Sequence, residues 1–415
     1  MTRSRLPTLL LTWLLGSFFC GALPAAEPLN YGAEFTLELG AGDRAIGTIA
    51  IEQSTRIVRS LRLRMPAERY RLIDASGRFS EDGGVVFWEP PPQGGRLRYE
   101  VTVNHRSGSG YDGLVTPKWA IFRGDDVFPT IRIDFVDGAV SRSVLTLRVP
   151  EGWDQITPYG RDGKGGWKVR SYGRKFHRPT GWILVGDLGI RRDSVAGVQM
   201  AVAAPVGAGA QRLSMLAMLN WNLAWYLQQT PLHPKRLLVV SGPDPLWRGG
   251  RSAPNSLFLH ADLPMISEDG SSPLLHEFAH VLFPVHAAPE EDWIDEGVAE
   301  YLSLRVMRET GTITPARYNR AISHMRERGK AVASLQTANS HGAVTARAVA
   351  LLHDLDLELK QASKGRYDVM ELLRRMMAHD DALTLEDVRR MAAELLGAPP
   401  RSMSKERSTP AAATP

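Results

Sequence analysis

The sequence predicts an α+β protein: an all-β sandwich or saddle-shaped domain first, then a part that mixes α/β with helices. Three observations carry this. Apolar residues alternate with period two from about residue 27 to 189, the spacing turns helical after residue 210, and a His-Glu-x-x-His run follows a short apolar strand. A chain of 415 residues exceeds the size at which one core keeps growing, so two domains are expected. The divisions fall at residues 1–26, 27–189, 190–400 and 401–415.

Residues 1–26 read as an export signal. Arg3 and Arg5 precede an apolar stretch from Leu6 to Leu15 that continues through Phe18 and Phe19, and small residues lead to Ala26. This places the protein in a periplasmic or extracellular setting, with an uncleaved membrane anchor as the alternative. The single cysteine, Cys20, lies inside the segment and follows two phenylalanines where a lipid-attachment site wants small residues. A mature chain without cysteine has no disulfides and must rely on its core. Removing Arg3 and Arg5 lowers the formal charge from +5 to +3. With basic residues scattered among acids, nothing points to nucleic acid.

In residues 27–189, Phe35, Leu37 and Leu39 alternate with Glu34, Thr36 and Glu38. Leu97 to Val103, Ile131 to Phe135 and Leu145 to Val149 repeat the pattern, separated by turns such as Asp82-Gly-Gly84 and Pro90-Pro-Pro92. No catalytic cluster is visible there. Farther on, Gln211 to Gln229 has helical spacing and Arg236 to Ser241 reads as a buried strand. Trp247 to Arg251 reads as a Gly/Arg-rich loop, and Ser256 to His260 as an edge strand able to pair with an extended substrate. Helices are expected over 315–328, 343–360, 367–378 and 384–396, the last opened by a Thr384-x-x-Asp387 cap. Residues 401–415, rich in Ser, Pro, Ala and Thr, are expected to be disordered.

The chemistry is concentrated in Leu275-His276-Glu277-Phe-Ala-His280 and Trp293-Ile-Asp295-Glu296-Gly. Helical positions i and i+4 share a face, so His276 and His280 can grip one metal ion, for which zinc is the natural choice. Glu277 is then placed to take a proton from a water that the metal activates. A third ligand comes from Glu296 or from His286. The His286 spacing fits a pattern that needs a glycine where this chain has Phe283, followed by Pro284, which favours Glu296. Glu300, one turn beyond Glu296, can hold the far nitrogen of a ligating histidine, and Asp295 is a second candidate for that support.

His276-Glu-x-x-His280 with Trp293-Ile-Asp-Glu296-Gly resembles the gluzincin metallopeptidases, in which HExxH is followed by W-x-x-E-G. The short gap between the two elements most resembles the glycyl aminopeptidase-like family, a relative of the aminopeptidase N family. The resemblance implies a thermolysin-like catalytic domain, zinc held by His276, His280 and Glu296, Glu277 as general base, and a peptide or protein substrate. Two departures stand out. Asn255 falls where the aminopeptidases place a carboxylate for the substrate's free amine. Asn339-Ser-His341-Gly replaces their Y-x-K-G element, so Asn339 or His341 would supply the oxyanion donor in place of tyrosine. Two function classes follow: a hydrolase acting on peptides or another amide, and a peptide-binding or scaffold module that keeps zinc for structure.

Overall fold

The computed structural model describes residues 29–40, 42–170, 174–404 and 406, so residues 1–26, read above as an export signal, lie outside the described residues. The architecture is mixed α+β, with four sheets and eight helices among those residues. The period-two pattern forms strands with one buried face. In Asn30–Leu39, Tyr31, Ala33, Phe35 and Leu37 point inward. This strand pairs in parallel with Val140–Arg148 and antiparallel with Arg44–Glu52, inside a seven-stranded sheet.

The expected sandwich or saddle resolves into three sheets. A four-stranded sheet, with Val58–Arg64 and Val85–Glu89 at its centre, shares the core of the seven-stranded one. A five-stranded sheet built on Trp119–Arg123 and Trp182–Gly186 joins the two halves of the molecule. Ala120, Phe122, Ile183 and Val185 enter the first core, whereas Ile121, Trp182 and Leu184 meet Leu238, Val240 and Phe258 of the second half. Burial on both faces explains why Trp182–Gly186 is a continuous apolar run without alternation. Each large aliphatic or Phe side chain buried this way stabilises by roughly 1.5–3 kcal/mol, which joins the two halves through a shared apolar core.

The second half is built on a sheet in the order Leu188–Val195, Val198–Pro205, Arg236–Gly242, Ser256–His260, Gly250–Ala253. This corrects one expectation. Ser256–His260 is an interior strand with all five residues buried, parallel to Arg236–Gly242, and the edge on that side is Gly250–Ala253, which begins inside the stretch Trp247 to Arg251 read as a loop. An edge strand pairs on one side only and tolerates Gly and Arg, so composition concealed it.

Beyond the sheet the chain is helical: Pro273–Leu282, Trp293–Glu309, Pro315–Gly329, Ala343–Ala362, Val369–Met377 and Leu385–Leu396. The last helix opens on a complete capping box between Thr384 and Asp387. The expected disorder from Arg401 is corrected for the residues described there. Met403 is fully buried, Arg401 and Ser402 donate backbone N–H groups to Glu358, and Glu406 pairs with Arg347 at 2.8 Å. Residues 407–415 lie outside the described set. No helix among the described residues is long and apolar enough to cross a membrane.

Candidate metal centre and active site

The motif helix, Pro273–Leu282, starts where Ser272 accepts a hydrogen bond from the Leu275 N–H and Pro273 fills the first turn. Leu274, Leu275, Phe278, Ala279 and Leu282 are buried, which fixes the rotation of the helix and leaves His276 and His280 together toward the cleft. Tyr226 and Thr230 brace it from behind, donating to the Leu275 and Leu282 carbonyls at 3.0 and 2.5 Å.

The second helix, Trp293–Glu309, folds back against the first. Trp293 is buried and donates to Glu291 at 2.6 Å. Gly297 lets the helix from Ala343 approach closely, since a Cβ there would stand 2.5 Å from Ala348 Cβ. Seated this way, the helix brings Glu296 to the two histidines.

His276 Nε2 lies 3.1 Å from His280 Nε2 and 3.3 Å from Glu296 Oε2, and His280 Nε2 lies 3.6 Å from Glu296 Oε1. Donors around a tetrahedral zinc, with Zn–N of 2.0–2.1 Å, are separated by about 3.3 Å. The set therefore fits that ion. His276 Nδ1 donates to Glu300 and His280 Nδ1 to Asp295, each at 2.9 Å. Because a carboxylate only accepts, these bonds place a proton on each Nδ1 and turn the Nε2 atoms inward as the ligand positions. Burial opposes protonation of the two rings, but the carboxylates outweigh it and raise both pKa values, that of His276 well above the ordinary range. His286, the competing third ligand, is exposed and outside this group.

Glu277 is 8% exposed, packed beneath the edge strand. A Cβ on Gly250 would come within 2.6 Å of its Cγ and Oε1, so only glycine leaves room for the carboxylate. Burial raises the Glu277 pKa, opposed by the nearby histidines and by a backbone hydrogen bond from Ser252. A carboxylate shifted upward in this way is a better proton acceptor than an exposed one.

A cavity of about 210 Å³ opens beside the cluster, lined by His276, Glu296, Glu300, Arg328, His341 and Thr345, among others. His341 reaches it; Asn339 does not. Asn339 is exposed, and its carbonyl accepts from His341 Nδ1 at 3.1 Å. Because a carbonyl only accepts, that bond places a ring proton on Nδ1. Asn255 sits in the turn between the two strands with φ 54°, and the edge strand beside Glu277 presents Gly250, Arg251 and Ser252 instead. Sequence reasoning passed over Arg328 and Gly250, because neither belongs to a motif. A second cluster, Asp244, His260 and Asp262, is already served by Arg248, which bonds to Asp244 and lies 3.8 Å from Asp262.

No protein-family model and no curated protein matches this chain. Solved structures do. An aminopeptidase N family protein from Idiomarina loihiensis superposes with a TM-score of 0.62 at 15% identity, over 84% of this chain and 70% of that one. An M1 zinc metallopeptidase from Deinococcus radiodurans gives 0.59 at 16% identity, over 91% of each chain. The fold is that of the M1 zinc metallopeptidases. A mutant of the Deinococcus protein, solved bound to a Tyr-Ser-Ala substrate, also gives 0.59, over 91% of this chain and 92% of that one at 15% identity. The M1-like fold accounts for the β-rich first half standing ahead of the motif helices.

Proposed function

We propose that this protein is an exported zinc-dependent peptidase. The observation that carries the reading is the triangle of His276, His280 and Glu296, with both outer imidazole nitrogens held by Glu300 and Asp295 and with Glu277 buried alongside. His276, His280 and Glu296 would hold the ion. When bound, zinc supplies a Lewis acid that lowers the pKa of water and polarises a carbonyl. Glu277 takes the proton of the attacking water and gives it to the departing amine, a cycle that its burial-raised pKa supports. The edge strand Gly250–Ala253 offers unpaired backbone groups to an extended peptide, a role first expected of Ser256–His260. It carries no acid of its own. Export rests on the Arg3/Arg5 and apolar pattern of residues 1–26, and membrane attachment would come only from retention of that segment.

Metal analysis of the purified protein, followed by digestion of a peptide library with and without chelator, tests this. About one zinc per chain is expected, with cleavage lost on chelation and restored by zinc. Zinc without cleavage of any peptide would instead support the binding module, and a chain that takes up no metal would end both readings.

A further inference from the structure

We propose that Arg328 anchors a carboxylate of the peptide substrate, so that the cleft prefers chains carrying an acidic side chain or a free C-terminus near the cut bond. The proposal rests on the peptidase reading above and deepens it. Arg328 lies on the last turn of Pro315–Gly329 and lines the same cavity as His276 and Glu296. The two cations nearest to it along the chain are paired. Arg326 forms a two-pronged pair with Asp354 at 2.7 Å, and Lys330 meets Glu327 at 2.6 Å. Across the helices, Arg347 is held by Glu406. Arg328 alone of this group has no carboxylate within ion-pair distance among the described residues, and it is exposed to the cavity.

The surroundings add to the same sign. A Cβ on Gly342 would lie 3.5 Å from Arg328 Nη2, so the guanidinium stands over the loop that carries His341. Gly342 opens a 20-residue helix with no side-chain cap and no acid in its first turn. Across the site the edge strand contributes Arg251, positioned by Asp112 at 2.7 Å, and no carboxylate. Two acids outside the ligand triangle share the cavity: Glu300, which is engaged by His276, and Asp269, whose Oδ1 accepts from the Ser271 N–H and hydroxyl at 3.2 and 3.0 Å. A divalent ion held by two neutral imidazoles and one carboxylate leaves the triangle net positive, and beside it the guanidinium is the cation on this wall, whose planar fork matches a carboxylate.

The test compares three peptides of one sequence with the metal-loaded protein. One has Asp or Glu near the cut bond and an amidated C-terminus, one is neutral with a free C-terminus, and one is neutral and amidated. Binding is measured by calorimetry on the Glu277→Gln variant and turnover on the unsubstituted protein, each with and without a change at Arg328. A preference of roughly tenfold or more in KM and in Kd is expected for one carboxylate-bearing peptide over the neutral amidated one. Arg328→Ala should collapse that ratio toward one, Arg328→Lys should restore part of it, and Arg328→Glu should turn it toward peptides carrying Lys or Arg. The first two peptides distinguish side chain from C-terminus as the source.

No preference in the unsubstituted protein, or an equal kcat loss on all three peptides in Arg328→Ala, would overturn the anchor; the latter would mark Arg328 as an oxyanion donor. If nothing is cleaved but carboxylate-dependent binding persists and needs Arg328, the anchor stands and the peptidase reading falls.

Discussion

On one wall of the cleft, the helices Pro273–Leu282 and Trp293–Glu309 give each metal-facing side chain a fixed partner: His276 to Glu300, His280 to Asp295, Glu277 under Gly250. On the other, Arg328, Asn339 and His341 are exposed, and of the three only His341 has a side-chain bond among the described residues, to the carbonyl of Asn339. The first wall is preorganised. Its groups lose little freedom when a metal arrives, because packing has already removed it. The second presents exposed side chains that packing does not fix, which, on the proposed peptidase reading, suits selection of a substrate better than chemistry. If the protein is the peptidase proposed above, the contrast separates changes that abolish turnover from changes that alter which peptide is taken.

The largest effect is expected at the base. Glu277→Gln should keep zinc and lower kcat by roughly 10³-fold, and a variant with normal turnover and full metal content would remove Glu277 from the mechanism. Gly250→Ala comes next. Its Cβ must displace the Glu277 carboxylate or the edge strand, so turnover should fall on the order of 10²-fold with metal content unchanged. Unaltered kinetics would show that the strand yields freely and that the wall is less rigid than its packing suggests.

Smaller losses belong to the outer carboxylates. Glu300→Gln and Asp295→Asn should each weaken zinc binding by about 10- to 100-fold in competition with a chelating indicator, because an amide can donate to Nδ1 and lets the tautomer flip. Equal affinity in both variants would mean that the helices alone orient the rings. The smallest effect is Asn339→Ala, within roughly twofold in kcat/KM, since the backbone carbonyl that engages His341 survives the change. A large loss there would place the Asn339 side chain in the cleft and blur the distinction between the walls.

Much of the framework can be read locally. The i, i+4 histidines, the helical spacing after residue 210, the alternating strands and the Thr384 cap are all short-range patterns, and the structure contains the corresponding elements. Local patterns do not encode strand order. Ser256–His260 looked like an edge because it is short and precedes the motif, yet pairing with both Arg236–Gly242 and Gly250–Ala253 buries it. Gly250–Ala253 has too little β-branched character to read as a strand at all. Composition also misled at Arg401–Ser404, where a Ser/Pro-rich stretch is docked through Met403 and Glu358.

By itself, the sequence determined which residues could meet on one face of a helix, because helical geometry is fixed by the backbone and needs no distant partner. Only the tertiary structure decided which carboxylate holds which imidazole, that Glu277 lies buried under a glycine, and that Arg328 faces the cavity unpaired. Each of these depends on how segments far apart in the chain pack together, and on the desolvation and pairing of charge that such packing imposes.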